Sequence, residues 1–162
     1  DEYLSKSKPE CARAPPRERS GAKVSDPLTF EWPVRVYYED TDAGGIVFYA
    51  NYLKFFERAR TEWLRARGYA QEALRTGPGL AFVVTDTSLR YRLPARLDDL
   101  IEVTVAVGRV GAASLTIAQQ AWRTEPDGRG TLLCDGTIRI GCVELGTFRP
   151  VRIPTDLLES IR

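Results

Sequence analysis

The sequence predicts an α+β fold in which a curved antiparallel sheet wraps one long central helix. Three observations lead to this expectation: one early segment with strand-like alternation, one long segment with helical spacing, and four later segments with strand-like patterns. A strand, a helix and then consecutive strands place the helix against one face of an antiparallel sheet. With 162 residues, 43% of them hydrophobic, the chain is long enough for one globular domain with a substantial core.

Residues 1–27 are predicted to form a flexible extension, and residues 28–162 the folded domain. Lys, Arg, Pro and Ser dominate the first part, so few apolar side chains are available there for a core. A nucleic-acid-binding arm is the functional alternative, but acids and prolines interrupt its basic residues. Because 23 Lys and Arg balance 22 Asp and Glu, the overall charge gives no reason to expect a nucleic-acid or acidic-membrane partner.

The first predicted strand begins near Thr29 and leads directly into an acidic, glycine-bearing segment at 39–47. Apolar and polar residues alternate there with the period of two that is typical of a half-buried strand. Pro33 indicates an edge strand or a strand start. The apolar positions are Phe30, Trp32, Val34, Val36 and Tyr38.

A long helix is predicted from Asn51 to about Arg67, because apolar residues recur there every three or four positions. Gly68 follows as a C-terminal stop, and Asn51 is expected to cap the helix or fix the preceding loop. An aromatic stripe with this spacing is more typical of core packing than of a ligand pocket. The stripe consists of Leu53, Phe55, Phe56, Ala59, Trp63 and Leu64.

Four further strands are predicted in the second half of the chain. Turn-forming residues separate them, including Gly111 and the stretch 126–130, which reads PDGRG. The predicted strands cover about 81–91, 100–109, 113–123 and 131–146.

Cysteine usage and hydropathy predict a cytoplasmic protein without membrane insertion. Three cysteines, with no C-x-x-C spacing, argue against a disulfide framework and against a zinc site. Cys134 and Cys142 are expected to be buried thiols in one strand. No apolar run reaches the length of a membrane-spanning helix, and the first thirty residues lack the apolar stretch of a signal peptide.

The chain contains no histidine, and this absence excludes several catalytic schemes. Ser-His-Asp and Cys-His catalysis, zincin-type metal sites and any imidazole base all need that side chain. A carboxylate is therefore the expected base of any hydrolytic reaction, without a metal or a cofactor.

The segment 39–47 is the candidate site, because Asp40 and Asp42 lie in a glycine-containing loop between a strand and a helix. Two structural alternatives are a paired-acid turn that caps the helix and a divalent-metal site formed with Glu39. The residues favour a third arrangement, in which the Asp42 carboxylate faces helix N–H groups near Tyr49. Those N–H groups can hold a developing oxyanion.

Four segments together resemble the hotdog-fold acyl-CoA thioesterases of the 4-hydroxybenzoyl-CoA thioesterase type, with the branch encoded beside the Tol-Pal cell-envelope system as the nearest group. The pattern D-x-D-x-x-G-x-V leading into a helix is far more specific than a pair of acids alone. The matching segments are 40–52 (DTDAGGIVFYANY), 55–64 (FFERARTEWL), 91–99 (YRLPARLDD) and 148–154 (FRPVRIP).

The resemblance implies a hotdog fold with a five-stranded antiparallel sheet, assembled into a homodimer or homotetramer with the active site at a subunit interface. It implies that Asp42 is the catalytic aspartate, acting as nucleophile or general base. It also implies that the backbone N–H of Tyr49 contacts the oxyanion, and that Gly45, Ile46 and Val47 lie against the substrate. The expected reaction is hydrolysis of short-chain or aromatic acyl-CoA thioesters, with acyl carrier protein as a second possible donor.

Two departures from the family pattern limit this transfer. Position 49 is commonly histidine in the Tol-Pal-associated branch and is tyrosine here, so only a backbone role is carried over. The basic cluster that binds phosphate in the 4-hydroxybenzoyl-CoA enzyme is reduced to Arg109. Arg90, Arg92 and Arg96 are therefore further candidates for the CoA phosphates. The functional alternative is a non-catalytic scaffold of the same fold that binds acyl-CoA or acyl carrier protein near the envelope machinery.

Overall fold

A computed structural model describes residues 29–127 and 130–161, so the extension predicted for residues 1–27 lies outside the described residues. A short 3-10 turn at Tyr38–Asp40 follows the first strand. The strands and helices, in chain order, are β1 Phe30–Arg35, α1 Asn51–Ala66, α2 Gln71–Thr76, β2 Leu80–Tyr91, β3 Leu100–Val110, β4 Ser114–Thr124, β5 Gly130–Glu144 and α3 Thr155–Ser160.

The five strands form one antiparallel sheet in the order β1-β3-β4-β5-β2, so β1 and β2 are its edges. Pro33 lies in β1 opposite Glu102, and its place on an edge strand agrees with the sequence expectation. The long helix α1 packs on one face of this sheet, against β1, β3 and β4. The predicted α+β fold, with a five-stranded sheet around one long central helix, is confirmed.

The apolar stripe of α1 forms the centre of the core. Phe55, Phe56 and Ala59 are fully buried and Trp63 nearly so, and each large side chain contributes about 2–3 kcal/mol to folding through burial. The assignment of Leu53 to this stripe was wrong, since its side chain is 40% exposed.

One buried polar bridge fixes α1 on the sheet. Gln119, at the middle of β4, is fully buried and donates from Nε2 to the backbone oxygen of Phe56 over 3.1 Å. Its Oε1 accepts a hydrogen bond of 2.7 Å from Arg60. Gln119 therefore lies on the helix-facing side of the sheet, and its neighbour Gln120 lies on the outer side.

The two short helices α2 and α3 were not predicted, and the first strand ends earlier than expected. Each short helix has fewer than two turns, too few to show a helical period in the sequence. A hydrogen bond of 2.8 Å from the hydroxyl of Tyr69 to Asp156 joins the loop after α1 to α3. The 3-10 turn ends the alternation at Arg35, three residues before the predicted limit at Tyr38.

Cys134 and Cys142 are buried free thiols in β5, as predicted. Burial raises the pKa of Cys134 to about 12, so this thiol stays protonated at neutral pH. Among the described helices, none is long and apolar enough to cross a membrane.

Candidate active site

Asp40 is buried in the loop between β1 and α1 and is hydrogen-bonded to both ends of this loop. Its side chain is 2% exposed, and its Oδ2 accepts the backbone N–H of Tyr37 over 2.9 Å. Its backbone oxygen accepts two further hydrogen bonds of 2.9 Å, one from the N–H of Phe48 and one from Nδ2 of Asn51. Asp40 and Asn51 together hold the end of the strand against the start of the helix.

Asp42 lies two residues further along and is exposed to solvent. Its backbone closes a tight turn, in which its N–H donates to Ile46 over 2.9 Å and its carbonyl accepts from Gly45 over 3.0 Å. Its Oδ1 accepts the N–H of Gly44 over 2.8 Å. Within the described residues Oδ2 accepts no hydrogen bond, so one carboxylate oxygen is anchored and the other is open to a ligand.

The two glycines of this turn have different roles. Gly45 has φ +73°, a left-handed conformation that glycine adopts without strain. A Cβ atom on Gly44 would lie 3.0 Å from Oδ1 of Asp42, so a larger residue would displace the carboxylate.

The start of α1 follows this turn along the chain. Ala50 is the N-cap residue, and no side chain among the described residues caps the helix. The N–H groups of Tyr49 and Ala50 have no acceptor within the described part of the chain. The alternative that the acid pair caps the following helix was therefore wrong, because Asp40 bonds to the 3-10 turn and Asp42 to its own turn.

The loop after β2 is joined by backbone pairing to the residues that end the Asp42 turn. Val47 is buried and donates its N–H to the carbonyl of Ala95 over 2.9 Å, and Ile46 pairs with Arg96 in a single antiparallel bridge. The N–H of Ala95 in turn donates to the hydroxyl of Tyr52 over 3.2 Å. Ile46 and Val47, which are predicted to contact the substrate, thus belong to a segment whose backbone is held by pairing with the loop after β2.

The four predicted phosphate-binding arginines are not gathered at one place in the protomer. Arg96 is exposed beside the Asp42 turn. Arg92 forms an ion pair of 2.6 Å with Asp135, and this hydrogen bond raises the pKa of Arg92. Arg90 lines a cavity of about 700 Å³ on the outer face of the sheet. Arg109 lies nine residues beyond the start of β3. It is therefore about 30 Å along the strand from Leu100, which pairs with Arg35 at the end of β1.

The described residues contain no group of three His, Cys, Asp or Glu side chains placed to hold a metal ion.

Tyr91 lies beside the site. It belongs to the segment 91–99 that resembles the family, but it was not predicted as a site residue. Its hydroxyl donates to the backbone carbonyl of Tyr49 over 3.0 Å. The available signal was its place as the last residue of β2, directly before the Arg92–Asp99 loop.

An exposed carboxylate turn shortly before the uncapped start of a long helix, with that helix packed on a five-stranded antiparallel sheet, is the arrangement expected of a hotdog hydrolase. Comparison with known proteins agrees, because the family model described as "Thioesterase superfamily" matches residues 44–128. The chain belongs to this superfamily, which confirms the prediction of a thioester hydrolase. The match begins two residues after Asp42.

Two curated relatives cover most of the chain. An acyl-CoA thioesterase, YbgC of Haemophilus influenzae, is 44% identical over 128 residues, which span 79% of this chain and 90% of the relative. The acyl-CoA thioester hydrolase YbgC of Escherichia coli O157:H7 is 40% identical over 133 residues, 82% of this chain and 96% of its own length.

Solved structures show the same fold. A probable thioesterase from Bartonella henselae has a TM-score of 0.72 and 30% identity, covering 78% of this chain and 99% of its own. A mutant 4-hydroxybenzoyl-CoA thioesterase in complex with 4-hydroxybenzoyl-CoA has a TM-score of 0.78 over 83% of this chain and 99% of its own. At 17% identity, this second likeness concerns the fold alone.

Proposed function

We propose that this protein hydrolyses short-chain or aromatic acyl-CoA thioesters to the free acid and CoA, with Asp42 as the reacting carboxylate. One observation carries the proposal: the turn that precedes the uncapped start of α1 holds one oxygen of Asp42 on the N–H of Gly44 and leaves the other without a hydrogen bond among the described residues. The relatives named as acyl-CoA thioesterases support the substrate class.

Other candidate nucleophiles and bases are less suitable. The chain has no histidine. Cys134 is buried, and its pKa of about 12 keeps the thiol neutral. Asp40 is buried, and its carboxylate and carbonyl oxygens already accept hydrogen bonds within the loop. Asp42 is the carboxylate of this loop that combines exposure with an anchored orientation.

Two routes give the same products. As a nucleophile, Asp42 attacks the thioester carbonyl carbon, the C–S bond breaks, and CoA leaves as a thiolate that takes up a proton. Water then hydrolyses the mixed anhydride and restores the carboxylate. As a general base, Asp42 takes a proton from water while the oxygen of that water attacks the same carbon, and the proton passes to the departing sulfur.

The N–H of Tyr49 is proposed as the donor to the oxyanion that forms in either route. This N–H is free within the described residues and belongs to the entry of a sixteen-residue helix. The helix dipole places partial positive charge at that end. Donors that are oriented before the reaction stabilise charge where it develops.

Gly45, Ile46 and Val47 are proposed to lie along the acyl thioester. The left-handed Gly45 presents backbone without a side chain, which permits close approach of a ligand. Among the arginines, Arg96 is best placed for a CoA phosphate because it is exposed and pairs with Ile46. Arg90, Arg92 and Arg109 are weaker proposals, and Arg109 requires a neighbouring subunit to reach the site.

The protein is further proposed to form a homodimer or homotetramer. The edge strand β2 has twelve residues, and exposed side chains run from Val84 to Ser88. Its outer edge leaves backbone groups free to pair with another strand. A second copy that pairs there would bring another subunit close to Tyr91, which ends β2 beside the site.

Two finer assignments rest on the sequence resemblance: membership of the Tol-Pal-associated branch, and acyl carrier protein as a second thioester donor. A cytoplasmic location is proposed from the cysteine usage and hydropathy of the sequence. The free thiols Cys134 and Cys142 agree with a reducing compartment.

The decisive experiment compares Asp42→Asn with wild type in a free-thiol release assay across a panel of acyl-CoAs. We expect a loss of about 10²- to 10⁴-fold in kcat, because the side-chain shape is kept and the charge is removed. Glu39→Gln is the matched control, since it removes an exposed carboxylate from the same loop and should keep the wild-type rate. Undiminished hydrolysis by Asp42→Asn would rule out the mechanism.

The same panel tests the scaffold alternative. Binding of acyl-CoA or of acylated carrier protein without thiol release, at every chain length, would favour a non-catalytic role. A single turnover in oxygen-labelled water separates the two routes, because label enters the Asp42 carboxylate only when an anhydride is formed and attacked at the aspartyl carbon.

A further inference from the structure

The helix entry contains two successive peptide groups with the same hydrogen-bond pattern. The carbonyl of Phe48 accepts the N–H of Asn51 over 2.9 Å, and the carbonyl of Tyr49 accepts the hydroxyl of Tyr91 over 3.0 Å. The N–H groups on the other side of these peptides belong to Tyr49 and Ala50. Within the described residues neither N–H has an acceptor.

A hydrogen bond to a peptide carbonyl polarises the whole peptide group and makes its N–H a stronger donor. The Phe48–Tyr49 peptide receives this bond from the helix backbone itself. The Tyr49–Ala50 peptide precedes the helix, and it receives the bond from the side chain of Tyr91 instead. The N–H groups of Tyr49 and Ala50 are thus polarised by hydrogen bonds from different donors.

We propose that Tyr91 is a positioning residue for catalysis: its hydroxyl orients and polarises the Tyr49–Ala50 peptide, so that the N–H of Ala50 joins that of Tyr49 in holding the oxyanion. The proposal rests on the proposed thioester hydrolysis and adds a second donor and a side chain to its oxyanion site. Ala50 has helical dihedrals, φ −72° and ψ −18°. Its N–H therefore points out of the helix start, along the axis.

The ring of Tyr91 contacts two other aromatic rings. It meets the ring of Tyr49 edge-on at 6.2 Å between centroids, and the ring of Tyr52 at 5.6 Å. Tyr52 is itself buried and fixed by the N–H of Ala95. Burial, with smaller contributions from Cys134 and Tyr49, raises the pKa of Tyr91, so its hydroxyl remains a donor well above neutral pH.

The test is Tyr91→Phe, which removes one hydroxyl and keeps the ring. We expect kcat to fall about tenfold, with KM within about twofold of wild type, because the lost interaction matters most once the oxyanion forms. Tyr69→Phe is the matched control: it removes a tyrosine hydroxyl bond of 2.8 Å to Asp156 and should leave kcat and KM unchanged.

A spectroscopic measurement separates polarisation from general loosening of the fold. In ¹H–¹⁵N spectra, the amide proton of Ala50 should move upfield in Tyr91→Phe and stay in place in Tyr69→Phe. A second variant carries 3,5-difluorotyrosine at position 91, which keeps the ring and lowers the pKa of the hydroxyl. Its kcat should fall as pH rises through that new pKa, while wild type shows no such step.

The outcomes distinguish this proposal from the proposed function. Unchanged kcat in Tyr91→Phe, a rise in KM alone, or an unmoved Ala50 amide would overturn the role of Tyr91, while loss of activity in Asp42→Asn would still support the thioesterase. If wild type released no thiol from any acyl-CoA, the proposed function would fail, and the positioning role of Tyr91 with it.

Discussion

Two aspartates of the same loop have opposite environments. Asp40 is buried, and three hydrogen bonds from Tyr37, Phe48 and Asn51 converge on its side-chain and backbone oxygens. Asp42 is exposed and is held at one side-chain oxygen only. The loop thus separates a buried carboxylate that maintains its shape from an exposed carboxylate, which is the one proposed to react. Variants that perturb each aspartate or its partners test this separation.

The largest effect on stability is expected from Asn51→Asp. This change replaces the Nδ2 donor by an oxygen facing the carbonyl of Asp40, in a buried position. We expect a loss of about 3 kcal/mol in the free energy of unfolding, measured by urea denaturation. Asn51→Ala, which leaves the carbonyl without a donor but adds no repulsion, should cost less. Equal losses would contradict this explanation.

Asp40→Ala should lower the free energy of unfolding by about 2 kcal/mol, because the N–H of Tyr37 loses its acceptor. Asp42→Ala should change it by no more than about 0.5 kcal/mol, since its side chain is exposed. Urea denaturation of both variants checks the comparison directly. Similar losses in the two proteins would remove the distinction between the aspartates.

Gly44→Ala should reduce kcat about tenfold while the fold remains stable. The added methyl group lies 3.0 Å from Oδ1 of Asp42 and displaces the carboxylate from its anchored orientation. The rate of thiol release measures the effect. In an Asp42→Asn background the same substitution should have little further effect on the rate. An additive loss would show that Gly44 acts independently of Asp42.

The smallest expected effect on stability concerns Cys134, a buried group that ionises only at alkaline pH. The pKa of Cys134 is about 12 in the folded protein, above its ordinary value. The folded state therefore holds this proton more tightly than the unfolded state, and stability is lost as pH rises above about 8.5. We expect a loss of about 1 kcal/mol by pH 9, and Cys134→Ala should show a shallower decline in urea denaturation.

Sequence patterns predicted the strands and α1 because periods of two and 3.6 persist over many residues. They placed Leu53 in the core incorrectly, since the position lies at the edge of the apolar stripe, where the buried neighbour is Tyr52. They missed α2 and α3, which are too short to show a period.

The candidate site was predictable only in part. The motif identified the loop, but residue type does not distinguish Asp40 from Asp42, because their difference depends on what Asn51 and Phe48 contact after folding. The arginines show the same limit. Arg92 directly follows β2, and its ion pair with Asp135 depends on the register between β2 and β5. Assignment of the reacting groups remains a prediction.

The two edge strands of the sheet differ in their ability to pair with a strand of another molecule. Pro33 leaves the outer strand β1 without an N–H at its centre, whereas β2 contains no proline along its twelve residues. If two copies join through β2, both outer edges of the doubled sheet are β1, and each carries Pro33. Strand pairing with further copies would then be blocked at both edges, so a pair joined in this way would be protected against fibrous aggregation.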